Sequence, residues 1–372
     1  MKVTVERATL LKSLGHVHRI VERRNTIPVL SNILLRTGDN QLHLKTTDLD
    51  IEVTETITAD TVQAGATTVP AYVIHDIIRK LPEGAQVSLE TTEDNNQITV
   101  RSGRSRFVLQ TLPESDFPDI AEGDFSHSFT VPAKDLKHLI EKAQFAISTE
   151  ETRYYLNGIY FHVFEANGTA NLRSVATDGH RLARVDVPAP DGAAGMPGVI
   201  VSRKAVGEIL KLIDDGGDEV RVDLSSAKIR FSFGDLVFTS KLIDGTFPDY
   251  QRVIPTENNW SMFVERDTFT KAVDRVATMA QEKSRAIKLL LEENKLTLSV
   301  SNPDSGFASE DIEVEYDSPS LEIGFNARYL LDIAAQLNAD TAVFKFADMG
   351  APAVVQNREG ASTLYVLMPM RV

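Results

Sequence analysis

At 372 residues the chain exceeds the size at which one hydrophobic core stops growing, so two or three domains are expected, and its 42% hydrophobic and 25% charged content is that of an ordinary soluble globular protein. The lack of cysteine excludes disulfides, thiolate nucleophiles and Cys-ligated metal centres; no apolar run nears the ~20 residues needed to cross a bilayer, and MKVTVERATLLKSL has no signal-peptide core, so the expected location is the cytoplasm. A formal charge of −14 argues against a nucleic-acid partner unless the basic residues gather on one face.

In chain order, the first periodic segment is a helix over 6–24, followed by alternating strands in NILLRTGDNQLHLKTTDLDIEV (32–53), a helix over 71–81 and the hairpin pattern QITVRSGRSRFVLQ (97–110). The same order returns with a helix over 133–146, strands over 157–187, a helix over 203–215 and the strand pair KIRFSFGDLVFTSKL (228–242). It returns again with a helix over 266–285, strands over 286–316, a helix over 328–337 and the strand AVFKF (342–346). FPD recurs at 117–119 and 247–249, and the tips TTDLD (46–50), ATDGH (176–180) and SNPDS (301–305) hold equivalent places, so the chain is an internal threefold repeat. The expected fold class is α+β: three similar domains, 1–125, 126–254 and 255–372, each with two helices packed on half-buried antiparallel sheets.

The six predicted helices contain 19 Lys and Arg against 12 Asp and Glu, which leaves −21 on the strands and loops. Two readings fit this segregation. Lys and Arg are good helix formers and solvate the outer face of any amphipathic helix. Alternatively, helices from every repeat face one polyanion in common. Base-reading motifs are missing from the sequence, so any DNA contact is expected to be non-specific.

RYYLNG (153–158), ATDGHRLA (176–183), FPDYQRVIP (247–255) and the terminal YVLMPMRV (365–372), with RSGRSRF (101–107) and TIPVLSNILL (26–35), resemble the signatures of the bacterial DNA polymerase III beta subunit family, the DNA sliding clamps, over the whole chain. The resemblance implies a clamp fold and a head-to-tail ring homodimer that encircles double-stranded DNA without sequence specificity. It also implies a pocket that receives short linear peptides from the replicative polymerase, the clamp loader and repair proteins. Carried over residue by residue, the pocket comprises Leu156, Thr177, Gly179, His180, Arg181, Leu182, Pro248, Arg252 and Val253, completed by Val366, Met368, Pro369, Met370 and Arg371. Terminal apolar residues are unusual at a chain end, and Pro369 cannot continue a strand ladder; a strand end tucked into its own core is the other reading.

The family's DNA contacts map onto Arg24, Ser148, Thr149, Arg153, Tyr154 and Tyr155. Helix position adds Lys12, Arg79, Lys80, Lys137, Lys204, Lys271 and Arg275, each of which also fits a solvated helix face. The ring interface would set the edge strand with Arg104, Arg106, Phe107 and Leu109 against Thr278, Met279, Lys283 and Glu310.

Asp178 and His180 invite a hydrolase reading, yet the histidines are few and dispersed, and neither a zinc-binding HExxH nor a GxSxG elbow nor a phosphate loop is present. No catalytic residue, metal or cofactor is expected. The remaining alternative is a three-domain scaffold of the same architecture that binds only proteins.

Overall fold

The computed structural model describes residues 1–120, 124–166, 168–282, 284–358 and 362–372. Each repeat begins with a strand that runs directly into a helix: α1 (Arg7–Val17), α3 (Ala133–Glu141) and α5 (Arg266–Ala277). The second helices are α2 (Ala71–Lys80), α4 (Arg203–Ile213) and α6 (Ala327–Ala334). In the three first helices the leading N–H is satisfied from the loop before a later strand: Arg7 by the Ala85 carbonyl at 2.9 Å, Ala133 by Asp218 at 2.8 Å and Arg266 by Asp340 at 2.8 Å. The Val-Glu-Arg start, used twice, adds a cap and a clamp. Glu6 accepts the Thr9 N–H and Glu265 those of Asp267 and Thr268, while Arg7 and Arg266 donate to carbonyls near the ends of α2 and α6.

Three predicted helices are too long. The segment 6–24 is α1 plus a 3₁₀ turn, His18–Ile20; 133–146 is α3 plus the turn Gln144–Ala146; and 266–285 stops at Ala277. Apolar spacing continues beyond these ends, but Val17 and Leu139 each give a carbonyl to a strand hydroxyl, Thr46 and Ser174, and those bonds fix where the first two helices hand over to the sheet.

By internal contact the chain forms two compact units: residues 1–137 with 190–197 and 204–242, and residues 138–189 with 198–203 and 243–372. The first unit holds a five-stranded sheet, in the order Asp60–Gln63, Lys2–Glu6, Gln86–Thr91, Gln97–Ser102, Ser105–Gln110, and an eight-stranded one. The eight-stranded sheet joins the first and second thirds of the chain where Leu236–Lys241 pairs antiparallel with Ile51–Thr58, Leu236 opposite Glu55 and Ser240 opposite Ile51. In the second unit Arg181–Pro188 pairs with Thr363–Leu367 in the same way, Arg181 opposite Leu367, inside another eight-stranded sheet, and a four-stranded sheet ends on Gly306–Glu313. α1 packs Leu10, Leu14 and Val17 over Gln41–Thr47 and Ile51–Thr58, and α5 packs Phe269, Ala272 and Val273 over Lys295–Asn302 and Gly306–Glu313. No helix among the described residues is long and apolar enough to cross a membrane.

Candidate functional site

The second unit contains an apolar cavity of about 200 Å³. Its floor is strand: Leu182 and Val366 face each other across the Arg181–Pro188 and Thr363–Leu367 ladder and pack with Leu156, Val175, Phe247 and Tyr250. One wall is the tip Thr177-Asp178-Gly179, and the other is the unpaired segment carrying Pro248, Tyr250 and Val253. Met368, 40% exposed, closes the rim. Nine of the fourteen residues expected here meet in this cavity: Leu156, Thr177, Gly179, Arg181, Leu182, Pro248, Val253, Val366 and Met368.

The other five stand outside its lining. His180 stacks on Tyr329 at 6.3 Å, and its carbonyl accepts the Met368 N–H. Arg252 is 84% exposed and pairs with Asp249 at 2.8 Å. Pro369 ends the strand at Leu367, after which Met370 bridges Gly324 through its N–H. Sequence reasoning missed Asp249 and Tyr250, although both lie inside the FPDYQRVIP motif that supplied their neighbours.

The tip is a hydrogen-bonded turn. Asp178 accepts the N–H groups of His180 at 2.9 Å and Arg181 at 3.0 Å, and its second oxygen meets the Arg181 guanidinium at 3.1 Å. Arg181 also reaches Asp332 on α6 at 2.5 Å and lies 4.3 Å from the Tyr329 ring centre. Asp178 is thus fully engaged in shape, and no group of three or more metal-ligating side chains exists among the described residues.

The predicted DNA contacts divide. Lys12, Arg24, Lys80, Thr149, Arg153 and Lys271 are exposed, Tyr154 is 54% exposed, and Tyr155 is half-buried against it at 5.7 Å. Ser148 is a correction: its side chain is 1% exposed and its hydroxyl accepts the Glu150 N–H, so it is withdrawn from the surface. Lys137 is held by Asp214, Lys204 by Glu22 and Asp48, Arg79 by Asp76, and Arg275 by Glu310. The six helices nevertheless keep 13 Lys and Arg against 7 Asp and Glu. Sequence reasoning passed over Arg19 and Arg23, both exposed; Arg23 lies 4.5 Å over the Tyr72 ring beside the stacked pair His18 and His75.

Two sheets end on open strands. Ser105–Gln110 shows Arg106, Phe107 and Val108, with Arg104 in the turn before it; Leu109 is half-buried. Gly306–Glu313 shows Phe307, 68% exposed, and carries Glu310, Asp311 and Glu313. Thr278 and Met279 follow α5 beside this edge, the Met279 carbonyl accepting from Asn302; Lys283 lies outside the described residues. Phe307 was not anticipated, though GFASEDIE places it on the face that alternation leaves to solvent.

Residues 1–121, 130–249 and 251–371 match, in turn, the N-terminal, central and C-terminal domains of the DNA polymerase III beta subunit. The chain belongs to that family. The beta sliding clamp of Caulobacter vibrioides is 50% identical over 372 residues, and that of Escherichia coli K12 40% identical over 373, with all of both chains covered in each comparison. Among solved structures, a Bartonella birtlesii sliding clamp bound to griselimycin superposes with a TM-score of 0.96 at 54% identity, and a Caulobacter crescentus beta sliding clamp with 0.97 at 50%, again over all of both chains. The clamp's function follows: it is a DNA sliding clamp, a processivity factor of replication and not an enzyme.

Proposed function

We propose that two copies of this chain close head to tail into a ring around duplex DNA in the cytoplasm, with the apolar cavity as the docking site for short linear peptides of the replicative polymerase, clamp loader and repair proteins. The observation that carries the ring is the complementarity of the two open edges: Arg106 and Phe107 on one strand with Arg104 in the turn before it, Phe307, Asp311 and Glu313 exposed on the other. An exposed strand with a phenylalanine on it is a liability unless another chain completes it, and a contact between unlike edges closes only as a ring or runs on as a fibre. The exposed helix cations, Lys12, Lys80 and Lys271 among them, would meet phosphates without base readout, giving the flat energy profile that sliding needs. The cavity is the site we assign to griselimycin, the ligand of the Bartonella relative.

The test is retention. Loaded clamp should persist on circular DNA at high salt and run off linear DNA, because a closed path does not depend on screened phosphate contacts. Phe107→Asp, which should reduce the mass seen by light scattering from two protomers to one, should be lost equally from both. Equal loss of the unaltered protein from circular and linear DNA overturns the ring.

A further inference from the structure

One wall of the cavity comes from a segment with no strand partner. Pro248, Asp249 and Tyr250 follow Phe247 in an irregular run between Leu236–Lys241 and Trp260–Glu265 that contains the 3₁₀ turn Tyr250–Val253. Such a segment keeps a fixed shape only if something ties it to the sheet.

Two independent contacts do so, both from the strand Gly158–Ala166 and its neighbours. The first is a stack: Phe247 lies on Tyr160, 4.9 Å between centres and 5° from parallel, and Tyr160 on His162 at 4.9 Å. The second is a buried chain of hydrogen bonds in which every proton has one place to go. Asp186 accepts two bonds from the Arg173 guanidinium, at 2.6 and 2.9 Å. Arg173 then donates to the Tyr250 hydroxyl at 3.0 Å, leaving that hydroxyl to donate to His162 Nε2 at 2.9 Å. His162 Nδ1, at 3.1 Å, donates to the Val163 carbonyl. Arg173 and Tyr250 are each 5% exposed, so water does not replace these partners cheaply.

We propose that His162 and Arg173 are positioning residues for the peptide pocket: through the Tyr250 hydroxyl they hold the Pro248–Tyr250 wall in its binding shape, and they do so only while His162 is neutral. This rests on reading the cavity as the peptide site. A neutral imidazole accepts the Tyr250 proton; an imidazolium has no lone pair at Nε2 to accept it. The groups around His162 are Arg173, Asp186, Tyr160 and Tyr250, one cation against one carboxylate, with Arg184 paired to Asp186 beyond them. Burial and the Arg173 charge hold the His162 pKa below its usual 6.5, so the neutral form prevails at neutral pH. As pH falls through that depressed value Nε2 becomes a donor, the Tyr250 proton loses its acceptor, and the wall loosens.

The experiment is griselimycin binding to the full chain between pH 5 and 8, in four proteins. Unaltered protein should bind with constant affinity above neutrality and several-fold more weakly near pH 5. Tyr250→Phe, which keeps the ring and removes only the hydroxyl, should bind about five- to tenfold more weakly at pH 7.5, the equivalent of one hydrogen bond lost at a positioned group. His162→Gln restores an acceptor that does not titrate; its affinity at pH 7.5 should stay within about twofold and the acid-side loss should disappear. An acid-side loss of the same size in His162→Gln places the titrating group elsewhere and overturns the pH dependence of the relay. Met368→Asp, on the exposed rim, tests the pocket itself. If it abolishes binding while Tyr250→Phe and His162→Gln match the unaltered protein at every pH, the relay is overturned and the pocket stands. If Met368→Asp changes nothing, griselimycin does not use this cavity, and the role given to the relay falls with it.

Discussion

The tips Thr47-Asp48-Leu49 and Thr177-Asp178-Gly179 are the same turn put to two uses. In each, the threonine hydroxyl donates to a carbonyl four residues on, Ile51 at 2.8 Å and Arg181 at 2.7 Å, and accepts the N–H two residues on, Leu49 at 3.0 Å and Gly179 at 3.1 Å. In each, the aspartate takes the next two N–H groups, those of Asp50 and Ile51 or of His180 and Arg181. The third residue is left-handed in both, φ 79° for Leu49 and 88° for Gly179. They differ in what the spare carboxylate oxygen holds. Asp48 reaches out to Lys204 on α4 at 2.6 Å, whereas Asp178 turns back onto Arg181, which carries the link to Asp332 on α6. Both tips thus grip a later helix but route the charge differently, and an apolar cavity lies beside the second.

The largest effect should come from removing the carboxylates. Asp178→Ala orphans two N–H groups, a cost of about 1–3 kcal/mol. Asp48→Ala does the same, and each change also takes one carboxylate from a cation, Lys204 or Arg181; Arg181 is 10% exposed against 43% for Lys204, so Asp178→Ala should give the larger drop in calorimetric Tm. If Asp48→Ala with Lys204→Met destabilises by the simple sum of the two single changes, the link to α4 contributes nothing and the comparison reduces to the turn alone.

Much of this was legible in the sequence, because turns and strand alternation are local. TTDLD and ATDGH read as equivalent tips, and Leu182, Val366 and Pro248 read as pocket because the family signatures carry them. What was not legible depends on long-range geometry. His180 and Arg252 sit in the signatures, yet one stacks on Tyr329 and the other pairs locally with Asp249. Ser148 looked like a surface donor until its neighbours covered it, and Lys137, Lys204 and Arg275 were counted as free charge although acids from distant segments neutralise them. Charge on a helix is a property of sequence; whether it faces solvent is a property of packing.

A smaller effect concerns the first unit alone. His16, 5% exposed, sits between Glu55 at 2.9 Å and Asp215 at 3.2 Å, so both ring nitrogens are held by carboxylates from different segments. Burial opposes its charge, but the bonds and charges of Glu55 and Asp215 outweigh that and raise its pKa above 6.5. A raised folded pKa means that this stabilisation is complete below about pH 6.5 and is lost as pH rises through the folded value. The Tm of the transition containing the first unit should therefore decline on the alkaline side, and His16→Gln should flatten that decline. A decline that survives His16→Gln places the titrating group elsewhere.

The smallest effect comes from exchanging the left-handed residues. Leu49 is strained, since a left-handed backbone costs a residue with a Cβ about 1–2 kcal/mol, and glycine removes that strain at an entropic cost of about 0.5–1 kcal/mol. Leu49→Gly should therefore gain a few tenths to about 1 kcal/mol, a rise of roughly 1–3 °C in Tm. The reverse change is not its mirror image. At Gly179 a Cβ would come within 2.8 Å of Arg153 Nη1, so Gly179→Leu adds displacement of that arginine to the strain and narrows the cavity mouth. It should lower Tm and weaken griselimycin binding together. If Leu49→Gly lowers Tm instead, the 39% exposed leucine makes a contact worth more than its strain, and the first tip has a packing role that the second gave up for its pocket.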